Sequence, residues 1–371
     1  MTFSALGDSA VVADLGPERD EPTLARACAL ARALGEDPPA GVIEVVPAFT
    51  AVTVFYDPAR IAGYEDLLQQ LRARARAAAS EDELPAGRLV ELPVRYGGED
   101  GPDLAHVAAQ AGLAEEEVVA LHTAPEYRVE AIGFVPGFPY LGGLSPRLRT
   151  PRRPTPRTHV PAGAVAIGGA QTGVYPLAGP GGWNLIGRTA LPLFLPPAAP
   201  PNLLRPGDRV RFRALAAGPE PAARQRSPEA GHDPAAQPAD GWTGGNGLSV
   251  RRPGLLTLVQ DGGRPGRRAA GVPAGGAADP FALRVANLLV GNAENAAALE
   301  CTLAGPELEF FQDAVVAIGG AAFAELPAWR PLQVRAGETL RCGPCRSGCR
   351  AYLAISGGIE VPEVLGGRGT Y

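Results

Sequence analysis

Residues 133–144 read GFVPGFPYLGGL, a run with no charged side chain, four glycines, two prolines and three aromatics. Pro136 and Pro139 fix φ and lack a backbone donor, which bars the run from a helix interior or a central strand and predicts a shaped loop. Its only polar side-chain group is the Tyr140 hydroxyl. Chemistry here would come from backbone N–H groups and from the faces of Phe134, Phe138 and Tyr140.

Around this loop, from residue 86 onward, short apolar runs alternate with Gly and Pro turns: GAVAIGG (163–169), TALPLFL (189–195) and GDRVRF (207–212). That pattern predicts a β-barrel or sandwich, with helices at GPDLAHVAAQAGL and AEEEVVALHTA. Ahead of it, the strand SAVVADL, the helix PTLARACALARAL, the strands VIEVVPAF and AVTVFYD, the helix YEDLLQQLRARARAAA and the strand RLVELPVRY follow the split βαββαβ order. Leu24, Cys28 and Leu34 in the first helix, and Leu67, Leu68 and Leu71 in the second, recur at helical spacing. The reading is α+β, with an α/β domain over 1–85 and a barrel over 86–214. Residues 215–246 are Ala-, Pro- and Gly-rich without apolar periodicity, a linker. Residues 247–371 repeat the β-rich style through LLTLVQDGG, AVVAIGGAAF and RAYLAISGGI, with one helix at DPFALRVANLLVGN.

The chain has 371 residues, 46% of them apolar, and a net charge of −5, an ordinary globular composition that gives no sign of nucleic-acid binding. It contains no secretory leader pattern and no apolar run long enough to cross a bilayer, so a cytoplasmic location is expected, with the five cysteines reduced. All 34 basic residues are arginine. Without lysine the chain cannot carry a Walker-type phosphate loop, a pyridoxal Schiff base or an attached biotin.

Candidate residues fall in four places. His159, in TPRTHVPAG, lies beside Arg152, Arg153 and Arg157, and reads either as an acid–base or ligand contact or as a loop histidine. The arginines read as a bidentate anion grip or as a solvated basic face. His106 and His122 lie on helices and His232 in the linker, where structural or solvent roles are expected. In CGPCRSGC, a C-x-x-C followed by Cys349 lacks a fourth zinc ligand, and a hairpin turn is expected instead. GGAQTGVYPLAGPGGWNLIGRT (168–189) offers Gln171, Thr172, Asn184 and Arg188, and VQDGGRPGRRAAGVPAGGAADP (259–280) offers Gln260, Asp261, Arg264 and Asp279. Both stretches read as anion or amide sites or as plain tight turns.

Through GFVPGFPYLGGL, TPRRPTPRTHVPAGAVAIGGAQTGVYP and PGGWNLIGRT, with VRYGGEDGPDL and ALHTA in support, the first 214 residues resemble the B component of the bacterial ATP-dependent 5-oxoprolinases. That group is also called allophanate hydrolase subunit 1 or the sporulation-kinase inhibitor family. Residues 247–371 resemble the start of the C component, the allophanate hydrolase subunit 2 family related to biotin-dependent carboxyltransferases, through TLVQDGGRPGRRAAGVPAGGAADPFALRVANLLVGN and RAYLAISGGIEVPEVLGGRGTY. The chain resembles a B–C fusion. The resemblance implies a small α/β domain and cyclophilin-like barrels. It also implies ring opening of 5-oxoproline to glutamate with ATP and Mg²⁺, together with a separate 5-oxoprolinase A component; self-association stays open.

It places His159, Asp261 and Asp279 as catalytic. Phe134, Pro136, Gly137, Phe138, Tyr140, Gln171, Thr172, Asn184, Arg188, Gln260 and Arg264 become ligand contacts, with Mg²⁺ on Asp261 or Asp279. The 133–144 loop would then wall a ligand, dock the C half or cap the barrel end. The C-component pattern continues beyond this length in the family, so loss of part of the second domain, and with it of activity, is an expectation. Two positions depart from that pattern. Gly275–Asp279 replaces Ser-Gly-Ala-Met-Asp, and Gly369 replaces the serine of Arg-Ser-Thr-Tyr. The alternatives are the carboxyltransferase component of a urea or amide carboxylase, with biotin supplied elsewhere, and a kinase-inhibitor-type binding protein.

Overall fold

The computed structural model describes residues 1–79, 87–216 and 247–371. All but the first two residues of the linker stretch, with His232, lie outside the described residues. The described residues divide into two compact units, one holding those up to 216 together with Pro265–Pro273, the other 247–264 and Ala274–Tyr371.

The first unit begins with β1 (Thr2–Ala5), β2 (Ala10–Asp14), α1 (Glu21–Glu36), β3 (Val42–Ala48), β4 (Ala51–Tyr56) and α2 (Tyr64–Ala79). Asp20 starts α1 by accepting the Thr23 N–H at 2.9 Å, with Pro22 in the first turn, where a missing donor costs nothing. The strands form an antiparallel sheet in the order β1-β2-β4-β3. Its inner face meets the helices through Val11, Leu30, Leu34, Val52, Leu67 and Leu71, all buried. Each such aliphatic side chain contributes about 2 kcal/mol by leaving water.

The sequence order βαββαβ is present, but its last strand, β5 (Leu89–Tyr96), is hydrogen-bonded elsewhere. β1, not anticipated, completes the sheet instead. Three of the four residues of β1 are exposed, so it carries no apolar signature.

β5 opens a closed barrel. It is followed by α3 (Leu104–Ala111), α4 (Glu115–Thr123), β6 (Tyr127–Ile132), β7 (Pro139–Gly142), β8 (Arg157–Val160), β9 (Ala164–Gly168), β10 (Gln171–Val174), β11 (Gly179–Gly181), β12 (Asn184–Arg188) and β13 (Arg209–Ala214). Seven strands close in the order β10-β7-β6-β13-β5-β12-β9, while β8 and β11 form a separate ribbon. β5 and β13 run parallel, with Val90 opposite Val210; the other barrel pairs are antiparallel. Tyr127, Leu141, Val165, Ile167, Ile186 and Phe212 fill the interior.

Two expectations fail here. The second half of the 133–144 run is a barrel strand, because Pro139 sits at the first position of β7, where its missing N–H is tolerated. TALPLFL is not a strand. Pro192 interrupts it and Pro196 follows it, and a single bridge from Phe194 to Asn202 remains.

Pro265–Pro273 belongs to this first unit by its contacts. The Glu44 carboxylate on β3 accepts the Ala269 N–H at 3.0 Å and pairs with Arg268 at 3.2 Å. The Arg268 guanidinium lies 4.3 Å over the Phe55 ring, and the Gly137 N–H donates to the Ala270 carbonyl at 3.0 Å.

The second unit contains β14 (Leu248–Arg252), β15 (Leu256–Gln260), α5 (Pro280–Leu289), β16 (Ala298–Thr302), β17 (Ala304–Phe310), β18 (Ala314–Phe323), β19 (Pro331–Val334) and β20 (Thr339–Ile355). They make one seven-stranded sheet, β14-β17-β20-β16-β15, with β18 and β19 joined through β20. A second closed barrel is not present among the described residues. The 17-residue β20 instead pairs β17, β16 and β18 in succession and leaves the sheet open at β14 and β15. CGPCRSGC is accordingly not a hairpin turn but the middle of β20, with Gly343 and Gly348 at positive φ absorbing its irregularity. No described helix is long and apolar enough to cross a membrane.

Candidate functional site

The 133–144 run places an aromatic cluster at one side of the barrel. Phe138 is buried at its centre, with ring centroids 5.0 Å from Tyr140, 5.2 Å from Tyr175, 5.4 Å from Trp183 and 5.7 Å from Phe134, all edge to face. Such pairs add about 1 kcal/mol each beyond their buried area. Phe134 is 60% exposed and held at φ +70, a left-handed conformation that a bulky side chain adopts only when its surroundings impose it. Pro136 and Gly137, which follow it in the loop, are buried. Trp183 lies flat on Gly168, where a Cβ would come within 2.5 Å of the indole ring, so the glycine makes room for the ring. Burial pushes the Tyr140 and Tyr175 hydroxyls up, with the charge of Arg152 opposing it in both cases.

The arginines beside His159 divide. Arg152 stands 5.7 Å over the Trp183 ring. Arg153 and Arg157 both pair with Asp103, at 3.0 and 2.9 Å, and the same carboxylate accepts the Leu185 N–H at 2.7 Å. Burial pushes Asp103 up, but the hydrogen bonds from Arg157 and Leu185 and the charges of both arginines outweigh it and hold the carboxyl below its ordinary range. Asp103 read in sequence as nothing more than the start of a helix. Three arginines within six residues were the signal that a carboxylate had to arrive from elsewhere. His159 itself is exposed on β8.

Of the Gly-rich stretch, Asn184 is buried in β12. Its amide donates to the carbonyls of Pro151 (2.9 Å) and Ile167 (3.2 Å), while Oδ1 has no partner among the described residues. Thr172 is buried against His122, Gln171 donates to Glu130 Oε2 at 2.7 Å, and Arg188 is exposed with Nε on the Ala162 carbonyl at 3.0 Å. These residues share the barrel but not one surface.

In the second unit, Gln260, Asp261 and Arg264 hold the last residues of the chain. Asp261 accepts the N–H groups of Gly263 (2.8 Å) and Arg368 (2.5 Å). Arg264 is buried and donates to the carbonyls of Val364, Gly367 and Gly369 at 2.8, 3.3 and 2.8 Å. The Gln260 amide donates to the Thr370 carbonyl at 3.2 Å and leaves a buried Oε1 without a partner among the described residues. A Cβ on Gly369 would stand 2.7 Å from that oxygen, so the serine-to-glycine departure falls directly on this contact.

Asp279 is elsewhere in the unit. It caps α5 through the Ala282 N–H at 3.0 Å and lines a cavity of about 500 Å³ with Trp329, Cys349 and Arg350. Behind it, the buried Tyr352 hydroxyl donates to Glu300 at 2.7 Å and accepts the Asp279 N–H at 2.8 Å. Burial and the hydrogen bond to Glu300 raise the phenol. Glu300 and Tyr352 carried no sequence signal, since both sit inside apolar strands.

Among the described residues no group of three or more His, Cys, Asp or Glu side chains could hold a metal ion. Cys301 is pushed up to about 12 by burial and Cys342 higher still, which makes both thiols inert.

Two family models match the chain. Residues 1–204 match the carboxyltransferase domain, subdomains C and D, and residues 270–371 match the carboxyltransferase domain, subdomains A and B. The B component of 5-oxoprolinase from Bacillus subtilis is 46% identical over 216 residues, which cover 56% of this chain and 90% of that protein. The C component of 5-oxoprolinase from Escherichia coli K12 is 46% identical over 126 residues, 32% of this chain and 40% of that protein. The crystal structure of TTHA0988 is 40% identical with a TM-score of 0.79, covering 97% of this chain and 70% of that one. The chain belongs to the carboxyltransferase-domain family of subdomains C and D, the group that includes the 5-oxoprolinase B component, and carries a C-component-like segment of subdomains A and B behind it in the same polypeptide.

Proposed function

We propose that the chain works as the B component, fused to C-component sequence, of an ATP-dependent 5-oxoprolinase that opens 5-oxoproline to L-glutamate together with a separate A component. The observation that carries this reading is the order of likeness along one polypeptide, nearly the full length of a B component followed by C-component sequence.

The chemistry asks for activation. A lactam carbon is a poor electrophile. In the proposed sequence the lactam oxygen attacks the γ-phosphorus of ATP and ADP leaves. Water then adds to the activated carbon, the C–N bond breaks as the nitrogen takes a proton, and the acyl phosphate so formed is hydrolysed by a second water to the glutamate carboxylate and phosphate.

With no lysine in the chain, the phosphate charge falls to backbone N–H groups and arginine. Arg264 has committed its guanidinium to three carbonyls, whereas Arg188 is exposed with only Nε engaged among the described residues. The residues do not make a resident Mg²⁺ site. Both Asp261 oxygens accept backbone N–H groups, and Asp279 has one of its two oxygens on its helix cap. Mg²⁺ fits this reading only as the ion carried by the nucleotide phosphates.

Expression of the chain in a host lacking only its own B component should restore consumption of 5-oxoproline. Continued accumulation, with the A and C components of the host intact and the chain present in folded form, would count against the proposal.

A further inference from the structure

A cavity of about 410 Å³ lies inside the first unit, between the N-terminal sheet and the barrel. Most of its charged lining is spent. Arg128 pairs with Glu21, Glu126 pairs with Arg209 and Arg211, and Asp20 caps α1. Two charges remain, Arg19 and Glu130.

The Arg19 guanidinium stands 4.6 Å over the Phe49 ring and has no carboxylate partner among the described residues. Glu130, on β6, is held from one side only: Gln171 Nε2 donates to Oε2 at 2.7 Å, which leaves Oε1 without a hydrogen bond among the described residues. Oε1 lies against bare backbone, since a Cβ on Gly142 would stand 2.1 Å from it. A side chain at position 142 would push the carboxylate out of place.

Phe49 is the apolar wall between them. It sits at φ +55, a conformation costly for phenylalanine. Its N–H bonds to the Glu130 carbonyl at 2.8 Å and its ring meets Tyr140 edge to face at 5.7 Å. Burial raises the Glu130 carboxyl, with the Gln171 hydrogen bond and the Arg19 charge opposing. A spare cation, a fixed acceptor oxygen and an aromatic face around one cavity match a small ring that carries a carboxylate and an N–H donor.

We propose that this cavity is the 5-oxoproline site: the ligand carboxylate on Arg19, the lactam N–H on Glu130 Oε1, and the ring methylenes against Phe49. The inference rests on the 5-oxoprolinase reading for the identity of the ligand, and on the cavity for its place.

Calorimetric titration of the full chain with L-5-oxoproline, 2-pyrrolidinone (no carboxylate) and N-methyl-5-oxoproline (no N–H donor) tests it, with thermal melts to show that each variant is folded. Arg19→Gln should weaken 5-oxoproline at least tenfold and leave 2-pyrrolidinone unchanged. Glu130→Gln should weaken 5-oxoproline by a similar factor and leave N-methyl-5-oxoproline unchanged. Binding of 5-oxoproline that neither substitution alters would overturn the site while the functional reading stands. Absence of any 5-oxoproline binding to the wild-type chain would overturn the site as well, and the B-component complementation then decides the functional reading separately.

Discussion

His122 Nε2 lies 2.9 Å from Thr172 Oγ1, and the Thr172 hydroxyl spends its own proton on the Ala166 carbonyl at 2.9 Å. The imidazole must therefore donate from Nε2, and Nδ1 accepts the Tyr96 hydroxyl at 2.8 Å. The ring is neutral, fully buried and stacked 4.5 Å from Phe212, and burial pulls its pKa down to about 3. An unfolded histidine binds its proton near pH 6.5, so between about pH 6.5 and 3 the unfolded chain holds one more proton than the folded one at this residue. Stability should fall with falling pH through that window, by up to about 1.4 kcal/mol per unit. Urea unfolding of His122→Gln should show a slope smaller by one proton between pH 6.5 and 4. An unchanged slope would contradict the neutral assignment.

Asp103 acts in the same sense but in a lower window. Its depressed carboxyl contributes stability that is present above the unfolded value near 3.8 and lost as pH falls below it through the folded value. Asp103→Ala leaves Arg153, Arg157 and the buried Leu185 N–H without their acceptor. The arginine side chains are 37% and 24% exposed, so water recovers part of the loss, and a destabilisation of about 2–3 kcal/mol is expected near neutral pH. The deficit should shrink below pH 3.8. A deficit constant down to pH 2 would show that the ion pairs are not its source.

The two phenylalanines of the opening motif should separate packing from recognition. Phe138→Ala empties the centre of the aromatic cluster and should cost about 3–4 kcal/mol. Phe134→Ala, at an exposed ring that keeps only edge-to-face contacts with Phe138 and Tyr175, should cost about 1 kcal/mol. Chemical denaturation of both variants checks this, and equal losses would mean that the Phe134 ring is also a structural element.

Arg264 should govern the order of the last residues of the chain. Arg264→Ala removes three hydrogen bonds to carbonyls between Val364 and Gly369, and hydrogen exchange should speed up across Val364–Thr370 while the β16–β20 pairing keeps its protection. Lysine at this position should rescue only part of the protection, since one ammonium cannot span three carbonyls held by a planar fork. Unchanged exchange in the alanine variant would assign that segment's order to Asp261 and Gln260 alone.

What the sequence made legible was local. The helices around Leu24, Leu67, Leu104 and Leu283 announce themselves by apolar spacing, and the Gly-bounded strand Ala164–Gly168 by its β-branched run. What it hid depended on distant partners. Thr2–Ala5 forms a strand because Val11–Asp14 offers it an edge, and Pro139 enters a strand because position one needs no donor. Gly343, Pro344 and Gly348 read as turns, yet β17 pairs with Gly343 and Pro344 and β18 pairs on either side of Gly348, so one strand runs through all three.

At the candidate sites, the aromatic residues were visible but their assembly was not, since Phe138, Tyr175 and Trp183 come from three separate segments. Asp103 and Glu130 were missed because a single carboxylate beside a helix start or within a strand looks like a solvated charge. Each became informative only with the arginine or glutamine that faces it across the barrel.

The measurement that bears most directly on the account is the stoichiometry of ADP, phosphate and glutamate formed from 5-oxoproline and MgATP by the full chain mixed with the A and C components of a 5-oxoprolinase. The expected result is equimolar release of all three products that requires the chain, 5-oxoproline and ATP together. Glutamate formation at the same rate without the chain, or product formation that requires bicarbonate and biotin instead, would contradict it.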